Sequence, residues 1–113
     1  MSNHSSSRAI ALALGLILVG AAAASAQSAD PGKKVYDAQK CGICHSVAGV
    51  GNKKGPLEDA AAKLSADQIR QWIVEAPAMS AKSNATRKPP MKAYMLPKEE
   101  VDALVAYIQS LKK

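Results

Sequence analysis

The chain has 113 residues, two cysteines, no phenylalanine and a formal net charge of +6. That length fits one small domain, which buries only about 60% of the surface of its unfolded chain and is marginally stable on its own. With one tryptophan and three tyrosines, the chain has few large side chains for a core, so we expect another apolar body to fill it. The positive charge favours acidic protein partners or an anionic surface, although a lysine-rich surface that only maintains solubility would carry the same charge.

Residues 1–26 are typical of a secretory signal peptide. Arg8 precedes an apolar run over residues 9–24, and the small residues ASA at 24–26 offer a cleavage site for a signal peptidase. The apolar run is shorter than the roughly 20 residues of a membrane-spanning helix, so we expect cleavage rather than membrane anchoring. The mature domain, residues 27–113, is then expected in the periplasm, without a membrane span and without nucleic acid as a partner.

The first half of the mature chain predicts one helix and a long loop. Asp30-Pro31 suits a helix start, with aspartate as N-cap and proline in the first helical position, and the helix is expected to run to about Lys40. The glycine-rich stretch 46–63 is expected to be mainly loop, with one helical turn near residues 58–63.

The second half predicts two further helices around another loop. Ser65 and Gln68 match a capping box, apolar residues then follow at helical spacing, and Pro77 ends the helix. Residues 77–96 lack periodicity and contain three prolines, which predicts a long functional loop. Residues from 97 or 98 to about 111 carry apolar side chains at helical spacing. Since no segment alternates over the length of a strand, the predicted class is all-α.

The sequence CGICH, residues 41–45, holds both cysteines and the histidine that remains after cleavage. A zinc site needs four ligands, and a thioredoxin-like pair needs a strand–helix–strand context; both remain weaker alternatives. C-x-x-C-H is the signature of covalent haem attachment. Cys41 and Cys44 would face the same way from one helical turn and form two thioethers, and His45 would be the proximal iron ligand. Two cysteines predict one haem c, which would also fill the core.

The sixth iron ligand cannot be a second histidine, so the candidates are Met91, Met79, Met95, a lysine or an open position. We favour Met91 because Pro89 and Pro90 stiffen the chain ahead of it. Met79 follows the proline predicted to end a helix. Met95 suits a core position equally well, since methionine is often a gap-filler.

The motifs CGICH, GPL, PPM and LVAYIQSL, in this order, resemble a class I monohaem cytochrome c over residues 31–111. The resemblance implies the cytochrome c fold, three to five helices wrapped around one covalently bound haem. It also implies that the first and last helices cross at four positions, which are Gly32, Tyr36, Leu104 and Tyr107. The Pro56 carbonyl would accept a hydrogen bond from the proximal imidazole, Leu57 would pack on the haem, and Met91 would be the axial methionine. Lys92 stands where the family often has proline.

A haem iron with His and Met ligands has both axial positions filled and binds no substrate. We therefore expect a soluble, monomeric electron carrier and not an enzyme. Acidic redox partners, such as a reductase, an oxidase or a dehydrogenase, would dock on lysines near the haem. These are Lys40, Lys53, Lys54, Lys82, Lys88 and Lys92. The alternatives are a haem subunit of a periplasmic dehydrogenase, and a small haem enzyme or gas sensor with an open sixth position.

Overall fold

The computed structural model describes Gly15 and residues 22–113. Most of the predicted signal peptide, residues 1–26, lies outside the described residues, so its cleavage after Ala26 remains a prediction. None of the helices in the described part of the chain is both long enough and apolar enough to cross a membrane.

The described chain is mostly helical, which confirms the all-α class. In chain order the elements are α1 (Ala22–Ala38), β1 (Ser46–Val47), β2 (Val50–Gly51), α2 (Leu57–Lys63), α3 (Ala66–Val74), α4 (Ala76–Ser83) and α5 (Lys98–Ser110). A 3₁₀ turn, Cys41–Ile43, lies between α1 and β1. The last helix contacts α1, α2 and α3 and is therefore the centre of the fold.

The crossing of α1 and α5 lies where the resemblance implies it. Gly32 is buried, and a Cβ atom there would overlap the Ala103 carbonyl and the Tyr107 Cβ. The rings of Tyr36 and Tyr107 meet edge to face, with their centroids 5.7 Å apart. Leu104 is buried in the same core. Only glycine allows the two backbones to approach this closely.

Helix α1 begins at Ala22 rather than at Asp30, so Pro31 lies inside the helix and not at its start. Alanine, which dominates residues 22–26, is the strongest helix former and extends the helix in the N-terminal direction. Proline at position 31 then costs one helical hydrogen bond because it has no N–H. The predicted cleavage site after Ala26 falls within this helix.

A short hairpin replaces part of the loop predicted over residues 46–63. Strands β1 and β2 pair antiparallel, with Ser46 opposite Gly51. The two residues between the strands, Ala48 and Gly49, both have positive φ, 51° and 77°, as the tight turns of hairpins require. Strands of two residues are too short to show alternation in the sequence. The predicted helical turn is present as α2.

Helix α3 has the predicted capping box: the Gln68 amide donates to Ser65 Oγ at 3.2 Å, and the Ser65 amide donates to Gln68 Oε1 at 2.9 Å. The long loop predicted over residues 77–96 is wrong in its first part, which forms α4. Pro77 lies in the first turn of α4, where a backbone N–H has no acceptor within the helix, so proline breaks no helical hydrogen bond there. Asn84 ends α4 with a left-handed φ of 54°.

The core is formed by apolar side chains of the helices around α5. The apolar face predicted for the last helix is confirmed within α5, where Val101, Leu104, Val105 and Ile108 are buried. Leu111, the last apolar residue of the predicted pattern, follows the end of α5 and is half-buried. Ile69 and Ile73 face the buried side chains of α5 from α3. Arg70 and Asp102 form an ion pair at 2.5 Å that also joins α3 to α5.

Candidate functional site

The sequence CGICH forms a tight turn immediately after α1, here called the CGICH turn (residues 41–45). Lys40 has a left-handed φ of 57°, which redirects the chain from the helix into the turn. The amides of Cys44 and His45 both donate to the Cys41 carbonyl, at 3.1 and 2.9 Å. Both cysteines are free and half-buried. Burial raises the pKa of the Cys41 thiol, so the thiol is protonated at neutral pH and lacks the activation typical of a redox-active pair.

Asn52 holds the CGICH turn from outside. Its main-chain amide donates to the carbonyls of Gly42, at 3.1 Å, and His45, at 2.9 Å. Its side-chain Nδ2 donates to the carbonyl of Ile43 at 3.1 Å. Asn52 is not among the residues predicted to belong to the site. The only local signal is an Asx turn, in which Asn52 Oδ1 accepts from the Lys54 amide two positions on at 3.0 Å, and that signal does not reveal the contacts with the CGICH turn.

His45 is presented to the interior as a neutral imidazole. Its Nδ1 lies 3.0 Å from the carbonyl oxygen of Gly55. A carbonyl only accepts hydrogen bonds, so Nδ1 carries the proton and Nε2 keeps its lone pair. Burial lowers the pKa of His45, with the hydrogen bond to Gly55 acting in the opposite direction and the charge of Arg87 adding to the lowering. A neutral imidazole with a fixed tautomer is the form that binds a metal.

In this structure the carbonyl beside His45 Nδ1 belongs to Gly55, one residue before Pro56, to which the resemblance assigns this role. The Pro56 carbonyl instead accepts the Asp59 amide at 3.2 Å, because Pro56 is the N-cap of α2 and its carbonyl belongs to the first helical turn. The Gly55 carbonyl also accepts the Ser46 amide at 3.1 Å. Both hydrogen bonds fix its direction.

Gly55 is required by close packing. A Cβ atom at this position would overlap the Cys44 carbonyl and the Arg87 guanidinium and would lie 3.0 Å from His45 Nδ1. The absence of a side chain therefore lets three segments of the chain meet beside His45. In the sequence, this glycine was noted only as part of the GPL motif.

A cavity of about 280 Å³ opens beside His45. Its walls combine the CGICH turn with apolar side chains from α2, α3 and α5 and with the segment that precedes α5. The lining residues are Cys44, His45, Leu57, Ala60, Leu64, Ile69, Trp72, Ile73, Ser80, Ala85, Arg87, Pro89, Pro90, Met91 and Ile108. A smaller cavity of about 40 Å³ shares His45, Leu57 and Met91 with it and adds Cys41. The two cavities therefore share part of their lining, and together they are called the divided space.

Of the three candidate methionines, Met91 reaches this space. It lines both cavities, as His45 does. Met95 is fully exposed, which excludes the core position considered for it. Met79 belongs to α4 and does not line either cavity. Leu57 is 7% exposed and lines both cavities, where the sequence expects a residue that packs on a haem.

The side chains around the divided space fit a haem. Its lining includes the thiols of Cys41 and Cys44, the imidazole of His45 with its free lone pair, and the thioether of Met91. Most of the other lining side chains are apolar. The volume of the larger cavity approaches the range of small-molecule pockets, about 300 to 1,000 Å³. Trp72 adds the largest aromatic side chain of the lining.

The two chain segments that form the CGICH turn and carry Met91 contain basic residues and no acidic ones. Residues 38–57 and 76–98 together hold eight lysine and arginine side chains, all of them exposed. They are Lys40, Lys53, Lys54, Lys82, Arg87, Lys88, Lys92 and Lys98. Two exposed apolar side chains lie in the first of these segments, Ile43 (69% exposed) and Val50 (77% exposed). The surface of these two segments therefore exposes positive charge together with a small apolar area.

Comparisons with known proteins agree with this geometry. The model of the Cytochrome c family matches residues 29–112. The chain is 31% identical to cytochrome c-555 of Methylococcus capsulatus, in an alignment that covers 86% of this chain and 78% of that protein. No solved structure matches the chain.

Proposed function

Since the chain belongs to the cytochrome c family, whose members are haem-based electron carriers, we propose that it carries single electrons through one haem c held between His45 and Met91. The observation that supports this ligand pair most strongly is that His45 and Met91 line the same two cavities. When bound, the haem supplies the one-electron change between Fe(III) and Fe(II). The residues of the chain fix its position and its potential.

The proposed roles of the site residues follow from their environments. Cys41 and Cys44 form the two thioethers that attach the group. His45 binds the iron through Nε2, and the Gly55 carbonyl holds the imidazole in that orientation and increases its basicity. Met91 contributes a thioether, which favours the reduced state and raises the potential. The apolar lining also raises the potential, because a medium of low dielectric constant disfavours the more highly charged oxidised state.

The ligand pair can be tested on the exported protein with its haem attached. We expect the oxidised form of the wild type to show the low-spin spectrum and the weak charge-transfer band of an iron–thioether bond. Met91→Ala should lose that band, whereas Met95→Ala, at a fully exposed position, should keep it and serves as the matched control. A wild-type protein that is high-spin and binds carbon monoxide rapidly when reduced would instead support an enzyme or gas sensor with an open sixth position.

We assign the partners to the class of acidic redox proteins, and the site of encounter to the periplasm, where the carrier acts as a monomer. The support is that residues 38–57 and 76–98 contain eight basic side chains and no acidic ones, since complementary charge increases the rate of encounter. Ile43 adds an exposed apolar contact directly beside Cys44. An acidic reductase, oxidase or dehydrogenase would meet this surface with its own electron donor or acceptor close to the haem.

The charge of this surface can be measured with a small anionic oxidant, hexacyanoferrate(III). We expect the rate at which it oxidises the reduced protein to fall as ionic strength rises, because salt screens exposed charges. Replacing Lys53 and Lys54 together by glutamine should flatten that dependence. The same double change at Lys112 and Lys113, which lie outside both basic segments, should have a smaller effect. A rate that does not respond to salt would remove the support for acidic partners.

A further inference from the structure

The segment that carries Met91 has little structure of its own. Residues 86–96, here called the Met91 segment, form neither helix nor strand. The side chains of residues 81–90 are all exposed. Ordering such a segment costs conformational entropy, so specific contacts are needed to keep Met91 at the cavity.

Two hydrogen bonds tie the Met91 segment to distant parts of the described chain, one on each side of the methionine. On the C-terminal side, the Tyr94 amide donates to the Ile73 carbonyl of α3 at 2.8 Å. On the N-terminal side, Arg87 Nη2 donates to the carbonyl of Cys44. These two hydrogen bonds connect the chain on either side of Met91 to α3 and to the CGICH turn.

The Arg87 contact reaches the centre of the site. Its guanidinium lines the larger cavity with His45 and Met91. While Nη2 binds the Cys44 carbonyl, Nη1 stands in the space that a side chain of residue 55 would occupy. One guanidinium therefore joins the Met91 segment to the turn that bears the cysteines and lies against the glycine that binds His45. Several N–H donors in a rigid plane suit such a shared position better than the single ammonium of a lysine.

The link between Arg87 and Met91 is short and stiff. Three residues separate them, and Pro89 and Pro90 are two of the three. Proline fixes its own φ and restricts the residue before it. A displacement of Arg87 is therefore transmitted to Met91 instead of being absorbed by the chain between them.

We propose that Arg87 is a positioning residue for Met91: by binding the Cys44 carbonyl it holds the Met91 segment over the cavity and keeps the thioether on the iron. This inference rests on the proposed His45 and Met91 ligation. It assigns Arg87 to the retention of the ligand, a role distinct from that of the lysines that would meet a partner.

The test uses the haem-loaded protein and imidazole, a small uncharged ligand that binds the oxidised iron only when methionine has left. Arg87→Gln removes the hydrogen bond, and we expect imidazole to bind about tenfold faster, as loss of a hydrogen bond from a charged donor predicts. The thioether charge-transfer band should weaken in the same variant. Lys88→Gln removes the same charge from the next residue, whose side chain is exposed, and should bind imidazole at the wild-type rate.

Equal imidazole rates in Arg87→Gln and Lys88→Gln would overturn the inference, provided that the wild type shows the thioether band. A wild type without that band would overturn the proposed ligation itself, so the two failures are distinct. Arg87→Lys keeps the charge but loses the planar group, and we expect a rate between those of wild type and Arg87→Gln. The unfolding midpoint in guanidinium chloride, measured for every variant, separates release of Met91 from general loss of stability.

Discussion

The His45 side of the cavity is held by a hydrogen bond at every carbonyl of the CGICH turn, whereas the Met91 side is held mainly at Arg87 and Tyr94. All five carbonyls of the CGICH turn accept a hydrogen bond, from within the turn, from Asn52 or from Arg87. The Met91 segment has no comparable network in the described chain. A shared cavity thus has one wall that is fixed by its backbone and one that depends on a few long-range contacts, and changes to the two walls should have different consequences.

The largest effect is expected from Gly55→Ala, which acts on the fixed wall. The new methyl group would collide with the Cys44 carbonyl and crowd His45 Nδ1, so the backbone must move and the imidazole loses its hydrogen bond. Overpacking of this kind costs about 1 to 3 kcal/mol, and we expect a lower yield of haem-loaded protein in addition. Chemical unfolding measures the loss of stability, and the haem absorbance per mole of purified protein measures the yield of haem-loaded protein.

Gly42→Ala provides the control for this change, because it adds the same methyl group inside the CGICH turn. A Cβ atom at residue 42 would lie 3.6 Å from the Tyr36 hydroxyl, an ordinary contact. We expect wild-type yield and nearly wild-type stability. If both alanine variants lost haem equally, packing around Gly55 would not be the reason.

A smaller loss is expected from Asn52→Ala, which removes the side-chain support of the CGICH turn but leaves the main-chain amide in place. Two hydrogen bonds disappear, to the Ile43 carbonyl and from the Lys54 amide. A hydrogen bond contributes about 0.5 to 1.5 kcal/mol, and both of these are exposed, so the free energy of unfolding should fall by about 1 to 2 kcal/mol, in the lower part of the range for two bonds. Asn52→Asp can still accept from Lys54 but cannot donate to Ile43, so it should lie between wild type and alanine; a loss as large as that of alanine would locate the whole effect at Ile43.

On the Met91 side, Pro90→Ala should leave the fold intact and loosen the ligand. Replacing proline by alanine adds freedom to the open form of the segment, an effect of about 0.4 to 1 kcal/mol. Imidazole should then bind the oxidised iron about twofold to fivefold more readily, with little change in the unfolding midpoint. An altered midpoint without a change in imidazole binding would show that the two walls are not independent.

The smallest effect concerns pH and the ion pair between Arg70 and Asp102, which joins α3 to α5. Helix α3 also carries the Ile73 carbonyl that accepts from the Tyr94 amide. Lys98 and Arg70 lower the pKa of Asp102. A lowered pKa in the folded state means stability that is present above the unfolded value, about 3.9, and is lost as pH falls through the folded value. Stability should therefore decline less between pH 5 and pH 2 in Asp102→Asn than in the wild type, a difference that pH-dependent unfolding would measure.

The sequence predicted those parts of the fold that depend on local patterns. The capping box of α3 and the apolar face of α5 follow from short spacings, whereas the crossing at Gly32 was implied only by the resemblance to a known family. Helix α4 was missed because Pro77 was interpreted as a helix end, although the first turn of a new helix tolerates proline equally well. The hairpin was missed because its strands have two residues each.

The residues of the site were likewise predicted only in part. Cysteines and histidine at fixed spacing have a chemistry that the sequence displays directly, and the structure places Met91 beside them. Gly55, Asn52 and Arg87 act through main-chain carbonyls, which every residue possesses and no sequence pattern marks. Arg87 and Cys44 are 43 positions apart, so this contact exists only once the chain has folded.

The contact of α1 with α5 also bears on the order of events during biogenesis. It joins the two ends of the described domain, and the entropy of closing so long a loop must be met before the contact yields any stabilisation. A chain that crosses a membrane from its N-terminus would expose the two thiols of the CGICH turn while α5 is still inside the translocation channel. For a chain exported as residues 1–26 predict, we therefore expect a period in which the cysteines are accessible for haem attachment, which ends when the last helix packs over Gly32.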